Sequence, residues 1–441
     1  ICVIGAGTIG LPLATFLANK GFSVDCYDKS EERARQINEG RVFFEYHEGL
    51  KKALEKKAIK ATTDPSVVRN SEILFVCVPT PLTKDKAMDI SILTDVAENI
   101  GTHFAKGHLI VFESSVAIGT TRRVKEKLEE ISGLEAGKDF GVAYCPERYN
   151  PGLPRETHPE VKYDESSLRE HHNLDTIGRV IGAVDEKSLL LAKAVYSRII
   201  KSPIKTVSSI EAAEATKLLE NIFRDVNIAL VNELAKVYSK FDLDVYEIIE
   251  AAKSKPFAFL PHYPGAGVGG ECIPVDTHYL IKQAEEMGMN TRLMKAAREV
   301  NDSMPYYTIN LLETALRKSG RDLRNVEVCI LGASYKKNID DIRLSPSLII
   351  ADELKSLGAR VKICDPVVNA AKLKNYKVVS VEKIFENTDA IILVTDHDAF
   401  QSIDFPKTSK GIVIVDGRNF FLKEALESLG YNYVCVGKHS P

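Results

Sequence analysis

The sequence predicts an α/β fold with two mainly parallel sheets, one towards each end of the chain, separated by a mostly helical segment. Three observations carry this. Residues 1–200 alternate short apolar or β-branched runs with amphipathic stretches, residues 210–241 switch to helical spacing, and a second alternation begins near Val326. A chain of 441 residues exceeds what one hydrophobic core organises, so about two or three domains are expected. Boundaries at 1–200, 201–305 and 306–441 follow from the changes in pattern.

In chain order, the runs at 1–5, 23–27, 73–78, 109–112 and 141–145 read as buried strands. The amphipathic segments 11–19, 92–104 and 120–130 read as the helices between them. Residues 151–175, rich in Pro, His, Glu and Arg and without clear period, read as a long surface loop or insertion. Next, Ala215, Leu218, Leu219, Ile222, Phe223, Val226, Ala229, Leu230, Leu234 and Val237 recur at helical spacing. They define a helix of roughly 30 residues, ~45 Å long, expected to be a spine between domains or a dimer interface. Further helix is expected at 245–252, 277–287 and 292–304, and further strands at 326–332, 360–364, 390–394, 411–415 and 433–436.

Composition excludes several functions. Hydrophobic content of 44% and charged content of 27% are those of a soluble globular protein, and a net charge of −3 gives no reason to invoke nucleic acid or an anionic membrane. No apolar run approaches the ~20 residues that span a bilayer, so no membrane insertion is expected. No secretory signal is present; the chain opens inside a strand pattern, as would one lacking a short leader with its initiator Met. The eight cysteines form no C-x-x-C pair and no zinc-spaced Cys/His cluster, so no metal is expected. Reduced thiols in a cytoplasmic enzyme are the simplest reading.

Gly5-Ala6-Gly7-Thr8-Ile9-Gly10 follows the first strand and opens a helix. Glycines there permit a tight turn and the approach of a pyrophosphate to the helix N-terminus. The next strand ends at Asp28, where an acid grips a ribose 2′-hydroxyl and repels a 2′-phosphate. The pattern therefore predicts a Rossmann-type site for NAD rather than NADP. Glu147 follows a strand end and is either a site carboxylate or a cap; such strand ends face the cofactor. Glu211, Glu214, Lys217 and Asn221 share one face of the long helix. Lys336 and Arg343 follow the first strand of the second sheet, as phosphate ligands or as a solvated surface. Cys272, in Gly267-Val268-Gly269-Gly270-Glu271-Cys272-Ile273-Pro274-Val275-Asp276, is either a nucleophile or an incidental thiol in a tight turn; the glycines before it let another group approach closely.

Together, Gly5–Pro12, Val78-Pro79-Thr80-Pro81, Pro146-Glu147-Arg148, Lys217/Asn221, Gly269-Gly270-Glu271-Cys272 and Asp340–Pro346 resemble the UDP-glucose/GDP-mannose dehydrogenase family over nearly the whole chain. The resemblance implies two Rossmann-like parallel-sheet domains joined by a long central helix in a helical dimerisation domain. It implies NAD on the first, a UDP-sugar on the last, and a homodimer through the central helix. Val275-Asp276 and Thr395-Asp396-His397-Asp398 resemble the branch acting on UDP-N-acetylhexosamines, with UDP-N-acetyl-D-mannosamine the expected substrate and surface polysaccharide synthesis the expected role. Glu271 stands where that branch often has His, and 257–263 lacks the Arg that relatives often place there.

The resemblance also implies roles. Gly5, Gly7, Thr8, Ile9, Gly10, Asp28, Arg33, Pro79, Thr80 and Ser115 are expected to bind NAD. Glu147, Arg148, Lys217, Asn221, Gly269, Gly270, Lys336 and Arg343 are expected at the substrate. Lys217 and Asn221 are expected to stabilise an oxyanion, Asp276 to accept a proton through water, and Cys272 to form a thiohemiacetal and then a thioester. Glu147 is expected to activate the hydrolytic water, and Ser115, where relatives usually have Thr, to order it. The same chemistry on UDP-N-acetylglucosamine, UDP-N-acetylgalactosamine or UDP-glucose is the nearest alternative. A two-electron hydroxyacid dehydrogenase and a non-catalytic NAD-binding scaffold are the more distant ones.

Overall fold

The computed structural model describes residues 1–41, 47–148, 174, 176–408 and 411–438. The expected loop at 151–175 lies, apart from Leu174, outside the described residues. Contacts divide the chain into two compact units. One contains the N-terminal sheet, the described residues up to Glu220 and a return segment, His278–Met287; the other contains Asn221–Thr277 and the described residues from Gly288 onward.

The first unit is an eight-stranded sheet, β1 Cys2–Ile4, β2 Val24–Tyr27, β3 Ile59–Thr62, β4 Ile73–Val76, β5 Leu109–Phe112, β6 Gly141–Tyr144, β7 Arg179–Ala183 and β8 Ile204–Thr206. Their spatial order is β3-β2-β1-β4-β5-β6-β7-β8. Helices α1 Gly10–Asn19, α2 Glu31–Asn38, α3 His47–Glu55, α4 Ser91–Gly101, α5 Thr120–Ser132 and α6 Glu186–Ile199 connect them. The apolar runs follow from burial on both faces. Val3, Phe75 and Val111 pack with Leu17 and Tyr196 on one side, while Ile4, Val76 and Phe112 pack with Leu93 and Val124 on the other. The sheet is not wholly parallel as expected. β7 runs antiparallel to β6, with Tyr144 opposite Gly182, and β8 follows it in parallel. This reversal brings the amino end of β7, Arg179, to the edge where β6 ends.

The long helix α7, Ile210–Tyr238, begins in the first unit and continues in the second. After it come α8 Val245–Lys253, α9 Ile273–Glu286 and α10 Arg292–Lys318. Two of these outrun their expected bounds. Pro274 sits in the first turn of α9, where a missing N–H costs nothing, so the helix starts four residues early. Pro305 would ordinarily stop α10 at Met304, but the helix runs on to Lys318, and Thr308 donates to the Met304 carbonyl at 2.9 Å. Between α7 and α10, buried Asp225 receives Arg298 and Asn301, each at 2.7 Å, and Asn301 accepts from Asn232 at 2.9 Å.

The second sheet comprises β9 Glu327–Leu331, β10 Arg360–Cys364, β11 Lys377–Val378, β12 Ala390–Leu393, β13 Val413–Asp416 and β14 Asn432–Cys435, with α11 Pro346–Ser356 and α12 Lys423–Ser428. It is parallel throughout in the order β11-β10-β9-β12-β13-β14, the arrangement of the first six strands of the N-terminal sheet. Val328, Ile330 and Ile363 pack on α10 and α11, and Cys329, Leu331 and Ile391 pack towards α8.

Candidate active site

The turn from β1 to α1 is built as a cradle. A Cβ at Gly10 would stand 1.9 Å from the Gly5 carbonyl oxygen, so only glycine closes it. A Cβ at Gly7 would meet nothing within 4 Å, and Thr8 is exposed while Ile9 is half-buried. α1 has no side-chain cap and no acid in its first turn, leaving its positive end to an external anion. Asp28, half-exposed, accepts from the backbone N–H of Ala6 at 2.9 Å and of Ser30 at 3.0 Å. Arg33 lies half-buried in the first turn of α2, its N–H on Ser30 Oγ at 3.2 Å. Beyond β4, Pro79 is exposed, and Thr80 Oγ1 donates to the Ser115 carbonyl at 2.7 Å. An uncapped helix terminus, an open glycine and an accessible carboxylate one strand away fit a dinucleotide.

A buried polar cluster lies at the carboxyl edge of the same sheet. Lys217 Nζ donates to the Glu147 carbonyl at 2.7 Å. The Glu147 carboxylate meets Arg179 Nη1 at 3.1 Å, and the two side chains are 7% and 1% exposed. Burial pushes the Glu113 carboxyl up to about 7; Arg179 pulls it down and neighbouring Glu147 pushes it further up. Tyr196 donates to Glu113. Arg148, expected at the substrate, spends its guanidinium inside the chain, on Glu220 at 2.6 Å and the Gly178 carbonyl at 2.8 Å. Glu214, on the same helix face as Lys217, instead accepts from the Thr121 N–H at 2.9 Å and from Gly119 at the N-terminus of α5, a structural cap. Sequence reasoning did not find Glu113, Arg179 or Tyr196; an acid just after the β5 run was the one local signal.

In the second unit, Cys272 is exposed and immediately precedes α9. One turn on, fully buried Asp276 donates its backbone N–H to the Cys272 carbonyl at 3.0 Å. Asn221 Nδ2 donates to the Asp276 carboxylate. The glycines are explained by the chain itself. Gly270 has φ +86°, and a Cβ there would stand 2.6 Å from the Tyr335 ring, while one on Gly269 would stand 2.5 Å from the Leu344 carbonyl oxygen. The close approach anticipated before Cys272 is therefore made at least in part by Tyr335 and Leu344. Arg343 holds this turn from the other side, donating to Asp341 at 2.9 and 3.0 Å and to Glu271, and its carbonyl accepts from Gly270 at 3.0 Å. Lys336 lies half-buried two residues after Ser334, whose hydroxyl donates to the Lys336 carbonyl at 2.7 Å.

The second sheet repeats the first turn's logic but closes it. Asp365, after β10, accepts from Ala333 and Ser334 as Asp28 accepts from Ala6. Its side chain, however, is 0% exposed, with His397 Nε2 against it at 3.0 Å. Among the described residues, no group of three or more His, Cys, Asp or Glu could hold a metal ion, and no helix is long and apolar enough to cross a membrane.

Models of the UDP-glucose/GDP-mannose dehydrogenase family match in three stretches: the NAD binding domain over 1–200, the central domain over 211–303 and the UDP binding domain over 329–423. UDP-N-acetyl-D-mannosamine dehydrogenase of Pyrococcus horikoshii is 35% identical over 444 residues, 99% of each chain. A solved structure of the UDP-D-ManNAc dehydrogenase of Pyrococcus horikoshii superposes with a TM-score of 0.88 at 32% identity, covering all of both chains. The UDP-N-acetyl-mannosamine dehydrogenase Cap5O of Staphylococcus aureus superposes at 0.80 and 28% identity, over 99% of this chain and 98% of that one.

Proposed function

The chain belongs to the UDP-glucose/GDP-mannose dehydrogenase family of NAD-dependent enzymes, and from that premise we propose that it oxidises UDP-N-acetyl-D-mannosamine at C6 to the uronate through a thioester on Cys272. The choice of sugar is supported by full-length similarity to relatives named for it. The thioester route is supported by one observation: of eight cysteines seven are buried, and the exposed one, Cys272, precedes a helix whose first turn carries Asp276.

Bound NAD supplies the hydride acceptor, one molecule for each of two oxidations. The Gly5–Gly10 turn holds its pyrophosphate and Asp28 its ribose, with Arg33, Pro79 and Thr80 alongside. In the first oxidation C6 gives up a hydride and its hydroxyl a proton, which Asp276 accepts through water. Asn221 fixes the Asp276 carboxylate, and with Lys217, four residues away on the same helix face, stabilises the developing oxyanion. The Cys272 thiolate adds to the aldehyde carbon, and loss of a second hydride leaves the thioester. Glu147 takes a proton from water ordered by Ser115; the hydroxide adds, the C–S bond breaks and the thiolate returns. Gly269 and Gly270 shape the turn, and Arg343 braces it through Glu271, while Lys336 serves the nucleotide-sugar and Arg148 ties Glu220 to the Gly178 carbonyl at the sheet edge.

A dimer through α7 is part of the proposal. Leu219, Phe223, Leu230, Val237 and Phe241, spaced 4, 7, 7 and 4, form an apolar stripe along this helix and its terminal turn, each at least 42% exposed. The division into 1–200, 201–305 and 306–441, a cytoplasmic site of action suggested by thiols that form no disulfide, and a place in surface polysaccharide synthesis complete it. The test is NAD reduction with UDP-N-acetyl-D-mannosamine and the N-acetylglucosamine, N-acetylgalactosamine and glucose congeners. The first is expected to give the highest kcat/KM; a higher value for another sugar replaces the substrate, and reduction by none of them overturns the activity.

A further inference from the structure

Two loops leave the carboxyl ends of β4 and β5, Val78–Pro81 and Ser114–Gly119, and side chains hold both. Ser114 Oγ donates to the Val78 carbonyl at 2.7 Å and Thr80 Oγ1 to the Ser115 carbonyl at 2.7 Å, so each loop supplies a hydroxyl to the other. Further contacts come from the part of α9 that belongs to this unit. The hydroxyl of Tyr279, a residue 1% exposed, donates to the Thr80 carbonyl. Gln283 lies four residues on, on the same helix face. Its Nε2 donates to the Ile118 carbonyl at 2.8 Å, and its Oε1 accepts from the Ile118 N–H at 3.0 Å. The carboxamide thus satisfies both backbone groups of one loop residue, as a neighbouring strand would.

The sheet order shows what these loops are held for. In the sequence β2-β1-β4-β5, Asp28 after β2 lies on one side of the glycine turn after β1, and the two loops lie on the other. A dinucleotide bound at such a crossover places its halves on opposite sides of that turn, and an acid after β2 takes the adenosine ribose. We propose that Tyr279 and Gln283 are positioning residues for the nicotinamide half of NAD: from α9 they fix the loops after β4 and β5 in the arrangement that presents Thr80 and Ser115 to it. This rests on the reading of Thr80 and Ser115 as cofactor contacts. A loop released from its anchors spends part of its time in other conformations, and affinity for a ligand that needs the native one falls with the fraction lost. The adenosine half, held by the glycine turn and Asp28, is bound as before.

The test is titration calorimetry on the full chain with NAD and with ADP, which carries the adenosine and pyrophosphate but not the nicotinamide ribose. UDP is kept saturating in both, to occupy the UDP binding domain. Tyr279→Phe and Gln283→Met should each weaken NAD about tenfold while ADP stays within about twofold of wild type. Equal losses for NAD and ADP overturn the inference, because a general loosening of the domain would produce them. Wild-type NAD affinity in either variant removes that residue from the proposal, and in both overturns it. Should Gln283→Met fail to fold, Gln283→Glu, which keeps the acceptor for the Ile118 N–H but loses the donor, decides with Tyr279→Phe. Thr80→Val and Ser115→Ala separate the two levels of the argument. If they weaken NAD while the α9 variants do not, only the positioning role falls. If both bind NAD as wild type, the reading of these residues as cofactor contacts falls, and the positioning role with it.

Discussion

Reactivity of a thiol follows its exposure, and in this Cys272 differs from the chain's other cysteines. Burial pushes the thiols of Cys2 and Cys329 up to about 12 and those of Cys26, Cys77, Cys145, Cys364 and Cys435 higher still. One thiol per folded chain should therefore react with iodoacetamide at pH 8, and peptide mapping should place it at Cys272; a second fast-reacting site would contradict the burial seen here. The turn before it is equally specific. Gly270→Ala adds a Cβ 2.6 Å from Tyr335 at φ +86°, and should cost about 1–3 kcal/mol by thermal unfolding. A Tyr335→Leu background should recover part of this, because it removes the clash but not the backbone strain. At this scale the sequence was partly legible. Cys272, Glu147, Lys217 and Asp276 stood out because glycines, a strand end or helix spacing framed them. Arg179 did not: nothing local distinguishes an arginine that opens a strand, and only the antiparallel turn of the chain brings it to Glu147.

Among the elements, the buried carboxylate of Asp365 ties the loop after β10 to the turn after β9. Burial alone would raise its pKa; the His397 hydrogen bond and the backbone N–H groups of Val367 and Val368 outweigh it and hold the carboxyl down at about 2. A carboxyl depressed from about 4 stabilises the fold fully above its unfolded value, and that contribution is lost as pH falls from about 4 through 2. Urea titrations should show about 2 kcal/mol of acid destabilisation in this window that Asp365→Asn lacks. Most strands buried on both faces were legible as unbroken apolar runs. β3, β7, β8 and β11 were not: β3, β8 and β11 are edge strands, Lys377–Val378 being exposed, and the buried β7 opens on Arg179 and has only a short apolar run after it. The two helix boundaries that differed most both involved proline, which marks a stop only where the N–H it lacks is needed.

For the molecule as a whole, the same six-strand order occurs twice, and what differs is whether the first turn stays open. Asp28 is left half-exposed beside an uncapped helix, whereas His397 covers Asp365, and the NAD binding domain matches the half with the open turn. The exposed stripe on α7 belongs to this scale too. Light scattering should give twice the 48.8 kDa chain mass, and Phe223→Asp with Leu230→Asp should bring it down to the chain mass. A wild-type mass of 48.8 kDa would remove the dimer from the account.

The central claim is that one thiol holds the sugar between two oxidations, and the most direct measurement is NADH formed per molecule of limiting UDP-N-acetyl-D-mannosamine with NAD in excess. Two NADH per sugar consumed are expected, with the uronate as the only sugar product. One NADH per sugar, with aldehyde released, would contradict a covalently held intermediate.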